Sequence, residues 1–225
     1  MSAIHPLKVV HVESLADHII QLLLKPDFPI RYAAGDYIML GFDREDLKPF
    51  SIASAPREDG LIECHIRIQS ETDWMQRLAA VRVGDQLIME DPKSQIMLQP
   101  AHQPIILVAG GTGFAPMKAI LETLVKEHVA VPIHLYWGAN SVEELYMHKE
   151  MLALTHMHGN IEYIPVISNT DASWDGLKGY VHEQVLKQHP SLKHVTAYIC
   201  GPWEMVQKAK SDFTEAGLEP SACIF

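Results

Sequence analysis

The run Ile105-Ile-Leu-Val-Ala-Gly-Gly-Thr-Gly-Phe-Ala-Pro-Met117 decides how the rest of the chain is read. Its first residues, Ile105–Ala109, are apolar and rich in β-branched side chains, as in a strand buried on both faces. The strand runs into Gly110, Gly111 and Gly113. A helix follows over Ala115–Val129, with Ile120, Leu121, Leu124 and Val125 on one face. Glycine permits a tight turn and close approach of the backbone to a ligand. The helix N-terminus offers unpaired N–H groups and a partial positive charge, which suit a pyrophosphate. Pro116 fits the first helical turn, where its missing N–H costs little. The strand–turn–helix context makes this a nucleotide-binding signal, the alternative being a purely structural βα turn.

Downstream, strands and helices alternate. Strands are expected at Ile133–Trp137, Ile161–Ile167 and Val195–Cys200, with helices at Val142–His156, Gly179–His189 and Glu204–Ala216. That alternation predicts a parallel sheet covered on both faces. Upstream, short runs at Leu7–Val12, His18–Leu24, Tyr37–Phe42, Ser51–Ser54, Leu61–Ile68 and Gln86–Glu90 read as strands between turn signals, with one helix near Thr72–Val81. Such spacing suggests a β-sandwich or barrel. The segment Gln99–Pro104, with two prolines and no core pattern, reads as a linker. The expected domains are therefore 1–100, a β domain, and 104–225, an α/β domain.

The 225 residues carry a formal charge of −10, with 18 Lys plus Arg against 28 Asp plus Glu and no clustered basic run. An acidic surface repels phosphate backbones, so nucleic acid is not an expected partner. No stretch approaches the roughly 20 apolar residues that span a bilayer, and the N-terminus lacks a signal-peptide pattern. The only cysteines are Cys64, Cys200 and Cys223. They are too few for an iron–sulfur cluster, a zinc site made of cysteines alone or a disulfide framework, and the expected location is cytoplasmic. His148, His156 and His158 lack a completing ligand set, so no metal site is assigned.

The dinucleotide fingerprint departs from its usual form. Pro116 replaces the third glycine, and Tyr136–Asn140 ends without an acidic residue to hold a ribose. Asn140 and Ser141 are candidates for bonding a ribose hydroxyl, with Glu143 or Glu144 assisting. All six arginines lie at or before Arg82. That disfavours tight binding of a 2′-phosphate, so NADH is expected to be preferred, or both NADH and NADPH accepted.

Three motifs resemble the ferredoxin–NADP reductase superfamily, most closely its small NAD(P)H:flavin oxidoreductases. Lys48-Pro49-Phe50-Ser51 is similar to the family's flavin motif, Arg-x-(Tyr/Phe)-Ser, at all but its first position. Gly111-Thr112-Gly113-Phe114-Ala115-Pro116 is similar to its nicotinamide-nucleotide loop, and Cys200-Gly201-Pro202 with Met205 to its late Cys-Gly-Pro motif. The resemblance covers nearly the whole chain. It implies a six-stranded antiparallel β-barrel that binds flavin (FAD or FMN), followed by a Rossmann-like NAD(P)-binding domain.

On that resemblance Phe50 packs along the flavin, and the Ser51 hydroxyl, donor and acceptor both, bonds N5 in either redox state. His65, Ile66 and Arg67 align with a segment whose backbone contacts flavin. Gly110, Gly111, Thr112, Gly113 and Pro116 cradle the nucleotide. Cys200, Gly201 and Pro202 lie by the nicotinamide, Cys200 not as a nucleophile. The alternative for Cys200 is a buried structural thiol. The C-terminal Phe225 either covers the flavin ring or belongs to a disordered tail. The implied reaction is hydride transfer from NADH or NADPH to free flavin, with the reduced flavin passing to a monooxygenase, a luciferase-like enzyme or a ferric complex. The alternatives are an FAD-bound reductase serving a separate iron–sulfur protein and a non-enzymatic dinucleotide-binding subunit.

Three departures bear on flavin retention. Lys48 gives a point charge where the family has a planar guanidinium. Ser70-Glu71-Thr72-Asp73 stands near a Gly-rich phosphate loop of many relatives and brings two acids that repel a pyrophosphate. Asp91–Leu98 replaces a Gly-Pro-x-Gly turn. Weak retention follows, with FMN, FAD and riboflavin all expected as substrates.

Overall fold

A computed structural model describes residues 3–69, 72–169 and 174–225. Contacts divide it into two units, Met1–Leu98 with Lys118–Leu124, and Gln99–Met117 with Val125–Phe225.

The first unit is built on β1 (Ile4–Ala16), β2 (Ile19–Pro26), β3 (Asp36–Gly41), β4 (Lys48–Ser51), β5 (Ile62–Arg67), β6 (Gln86–Glu90) and the two-residue β7 (Lys93–Ser94), with one short helix, α1 (Asp73–Ala79). Six strands follow the order β4-β3-β6-β1-β2-β5, and β7 pairs with β3. An Ile52–Cys64 bridge joins the two ends of that order, closing the barrel. The two N-terminal runs extend into one long hairpin, turned at His18 with φ 61°. Alternation sends Leu7, Val9, Leu22, Leu24, Ile38, Leu40, Leu87 and Met89 into one core. Strand β5 is buried on both faces, because its outward-facing Glu63 and His65 are also enclosed. The strand expected at Ser51–Ser54 ends at Ser51 instead, since the chain leaves β3 there and crosses to β5.

The second unit contains β8 (Ile105–Gly110), α2 (Phe114–Lys126), β9 (Ile133–Ala139), α3 (His148–Met157), β10 (Ile161–Ile167), β11 (Leu177–Lys178), α4 (Val181–Gln188), β12 (Thr196–Cys200), α5 (Trp203–Glu215) and β13 (Cys223–Ile224); the segment of α2 from Lys118 to Leu124 counts with the first unit. All strand pairs are parallel, in the order β11-β10-β9-β8-β12-β13. The helix expected over Val142–His156 is split. A 3-10 turn covers Val142–Glu144, and the buried Leu145 leaves helical geometry at ψ 60° before α3 begins. The short strands β7, β11 and β13 escape periodicity because two residues carry no pattern. Among the described residues no helix is long and apolar enough to cross a membrane, and no three His, Cys, Asp or Glu side chains are grouped as metal ligands.

Candidate active site

The flavin-like motif lies on β4, whose antiparallel register on β3 places Ser51 opposite Tyr37, Phe50 opposite Ile38 and Pro49 opposite Met39. β4 stands at the end of the strand order, where proline, lacking an N–H, is tolerated. Pro49, Phe50 and Ser51 line an open groove of about 560 Å³, together with Tyr37, Met39, Ser94 and Gln95. Lys48 is exposed beside it. Of the four added residues, Tyr37 and Met39 are legible as the positions alternating with buried Ile38 and Leu40. Ser94 and Gln95 come from the segment that replaces the glycine turn. It pairs with β3 as β7 and so reaches the groove.

Phe50 is backed by an aromatic stack. Trp74 of α1 lies near-parallel to it at 5.9 Å and 12°, and edge-on to Phe42 at 5.7 Å. Arg77 covers the Phe42 ring at 3.9 Å from its centroid. Among the described residues nothing engages the Ser51 hydroxyl, which leaves it available in the groove. The groove joins flat apolar surfaces to hydroxyl and amide groups, a combination that fits a flavin ring.

His65, Ile66 and Arg67 end β5. Ile66 is core, and the His65 side chain is enclosed with its Nε2 2.8 Å from the Glu63 carboxylate. Burial lowers the His65 pKa, so a neutral ring donating Nε2–H to Glu63 is the arrangement at neutral pH. The His65 and Ile66 side chains therefore offer a ligand little, while Arg67 is only half-buried. Ile68 N–H donates to His18 and Ala53 N–H to Glu63, so residues 63, 65 and 67 turn their main-chain groups away from β2. Thr72 caps α1, accepting from Met75 N–H, and Asp73 follows in its first turn. Ser70 and Glu71, the other half of the proposed phosphate-repelling segment, lie outside the described residues.

The nucleotide-like motif sits at the C-terminal edge of the parallel sheet. Following β8, strands β9–β11 lie on one side and β12–β13 on the other, so the topological switch falls beside β8, where ligands of open α/β sheets gather. Gly111 adopts φ 53°. A Cβ on Gly113 would stand 2.3 Å from the Cys200 carbonyl oxygen, and one on Gly110 2.6 Å from the Met205 sulfur. Gly201, at φ 157°, lies 3.0 Å from Gly110 by the same measure. The late Cys-Gly-Pro turn is thus packed main chain against main chain on the glycine turn, with Met205 behind both. Trp137 fixes the turn from β9, donating its Nε1–H to Gly111 C=O at 2.9 Å and stacking on Phe114 at 3.7 Å. Thr112 is half-buried and Pro116 is buried in the first turn of α2.

Asn140 follows β9 on the same edge, its Oδ1 accepting from Ser168 at 3.1 Å. Burial pushes the Cys200 thiol up to about 11, so it is not a thiolate nucleophile at neutral pH. The C-terminus is not a loose tail. β13 pairs in parallel with β12, and the Lys210 ammonium lies 4.4 Å from the Phe225 ring centroid. That register ends Phe225 one level short of Cys200 along the sheet edge.

A flavin-type barrel groove and a glycine turn at the switch point of a parallel sheet define an oxidoreductase of the ferredoxin–NADP reductase superfamily. The fold is shared with a ferredoxin NADP+ reductase from Neisseria gonorrhoeae solved with bound FAD and NADP (TM-score 0.85, 19% identity, 96% of this chain and 93% of that one). It is also shared with the flavohem-like FAD/NAD binding domain of nitric oxide dioxygenase from Vibrio cholerae (TM-score 0.86, 19% identity, 99% and 97%). Residues 107–211 match the oxidoreductase NAD-binding domain family. Sequence carries the assignment further: the chain is 33% identical over 215 residues to an NAD(P)H-flavin reductase of Vibrio harveyi, covering 92% of this chain and 91% of that protein. A second such reductase, from Aliivibrio fischeri, is 31% identical with 92% and 90% covered. The chain belongs to the NAD(P)H-flavin reductase family.

Proposed function

We propose that this protein takes hydride from NADH or NADPH, delivers it to N5 of a flavin, and releases the reduced flavin to a monooxygenase or another flavin-using acceptor. The observation that carries this reading is the groove: Pro49, Phe50 and Ser51 line it together, on a chain similar over its length to NAD(P)H-flavin reductases. The flavin, when bound, supplies the two-electron acceptor; the chain supplies position and hydrogen bonds. Phe50, held by Trp74, presents an apolar face to a ring. The Ser51 hydroxyl can donate to a lone pair or accept from an N–H, so it serves N5 before and after reduction. The glycine turn at the start of α2 offers main-chain N–H groups to a pyrophosphate.

Loose flavin binding is part of the proposal. Lys48 is exposed and cannot fork a phosphate as arginine does, and Asp73 brings negative charge to the start of α1. FMN, FAD and riboflavin are then all substrates. NADH is preferred over NADPH, because no arginine follows Arg82 to hold a 2′-phosphate. The test is steady-state NADH and NADPH oxidation by dialysed protein with each flavin, the absorption spectrum being recorded first. Turnover that requires added flavin, on protein without bound flavin absorbance, is expected. Stoichiometric non-dialysable FAD would favour a bound-FAD reductase instead, and a much lower KM for NADPH would overturn the cofactor preference.

A further inference from the structure

Immediately after Ser51 the chain crosses from β3 to β5, and the crossing is tied down by partners from several elements. Ile52 N–H donates to Asp36 C=O at 2.9 Å and Ala53 N–H to Glu63 C=O at 2.8 Å. Two further partners are side chains far away in sequence. Lys118 Nζ donates to Ala53 C=O at 3.0 Å, and Ala55 N–H donates to the Glu122 carboxylate at 2.9 Å. Lys118 and Glu122 are one helical turn apart and are themselves paired at 2.7 Å.

Lys118 is unusual for a lysine in being buried, with 6% of its surface exposed. Lysine is almost never enclosed without partners, and here Nζ also reaches Glu63 at 3.2 Å. Glu63 is in turn held by Gln21 Nε2 at 2.9 Å and His65 Nε2 at 2.8 Å. Each member of this network has a partner, and one of its outlets is the carbonyl two residues beyond the hydroxyl assigned to flavin N5. Nothing in the reaction chemistry requires a buried ammonium at this place, and a core of apolar residues would fill the space at less desolvation cost. Besides pairing with Glu63 and Glu122, the ammonium fixes a carbonyl whose strand has just left its ladder.

We propose that Lys118, with Glu122, is a positioning residue for Ser51: by anchoring Ala53 C=O and Ala55 N–H it sets where the Ser51 hydroxyl stands in the groove. This rests on the reading of the protein as a flavin reductase. Its consequence is a separation of effects. Misplacing the hydroxyl by up to about an ångström lowers the rate of hydride transfer by about 10- to 100-fold, since such steps depend steeply on geometry. Flavin affinity, which rests on the whole groove, changes little.

The experiment compares Lys118→Met, Lys118→Arg and Glu122→Ala with the parent protein. Three quantities are read: kcat and KM with riboflavin and FMN, flavin affinity by fluorescence quenching, and amide hydrogen exchange over residues 52–55. Lys118→Met is expected to lose about 10- to 100-fold in kcat with flavin affinity within about threefold, and to expose residues 52–55 to exchange while the β1–β2 hairpin stays protected. Lys118→Arg, which keeps the charge and donors, is expected to retain most of the activity. If Lys118→Met does not fold, Glu122→Ala carries the test, with faster exchange at Ala55 and a several-fold lower kcat. Folded variants with parental kcat, or unchanged exchange over residues 52–55, overturn the proposal. A parent protein that oxidises no NADH with any flavin defeats the functional reading instead, and leaves the exchange result to decide the anchoring.

Discussion

The two motif-bearing turns are held by different physics. In the second unit the glycine turn is set by steric packing on the turn after β12: Gly110, Gly113 and Gly201 bring two backbones together where a single methyl group would collide. In the first unit Ser51 stands on a short end strand, and the chain just beyond it is held by hydrogen bonds to Asp36, Glu63, Lys118 and Glu122. One turn leaves no room for a Cβ at Gly110 or Gly113. The other is tied by polar groups, two of them side chains of α2. That contrast can be broken experimentally.

The largest effect is expected at Gly113→Ala. Its Cβ would sit 2.3 Å from a main-chain oxygen, so the turn after β8 or the one after β12 must shift. We expect loss of soluble protein or, if it folds, a rise of at least about 100-fold in the KM for NADH. Gly159→Ala is the control, because a Cβ there meets nothing within 4 Å. Equal behaviour of the two variants in NADH titrations would show that the close approach does not constrain the turn.

A smaller and more selective effect is expected at Ser51→Ala. The substitution removes one oxygen from a half-buried groove position and leaves the β4 ladder intact. We expect kcat to fall about 10- to 100-fold with flavin affinity changed less, the pattern of an interaction that matters most in the transition state. Stopped-flow flavin reduction with saturating NADH measures it. An unaltered rate removes Ser51 from the chemistry and reduces the motif to a strand end.

The same contrast explains what can be read from sequence. The glycine turn is legible because its parts, the buried strand, the glycines and the helix, are consecutive from Ile105 onward. The alternating Tyr37–Leu40 and the flavin-like motif are legible for the same reason. Lys118 and Glu63 are not. A lone lysine on a helix reads as a solvated residue, and only the fold brings it to a glutamate 55 positions earlier. The groove residues Ser94 and Gln95 escape because a two-residue strand has no period to detect. The split between the turn at Val142–Glu144 and α3 escapes because Leu145, though apolar as a helix face demands, is buried in a non-helical conformation.

The polar enclosure of the first unit has a consequence that the second unit's glycine packing lacks: Glu63 and His65 should contribute to acid stability. Burial works to raise the Glu63 pKa. The His65 hydrogen bond and the Lys118 charge outweigh it, leaving the carboxyl at about 2 against an ordinary 4.5. A folded pKa below the unfolded value means that the stabilisation is full above about 4.5 and is lost as the pH falls toward about 2. For His65 the folded value also lies below the ordinary 6.5, chiefly through desolvation, so the unfolded chain takes up its proton first. That loss begins as the pH falls through 6.5. Both act in one direction, and urea midpoints should decline from about pH 7 to about pH 4 in the parent protein. In His65→Gln the part of that decline between about pH 6.5 and pH 5 should become shallower by the His65 share, because glutamine keeps a donor for Glu63 and takes up no proton. His148, His182 and His189, also lowered by burial, keep their share. A variant profile parallel to the parent's over that range would mean that His65 titrates alike in the folded and unfolded chains.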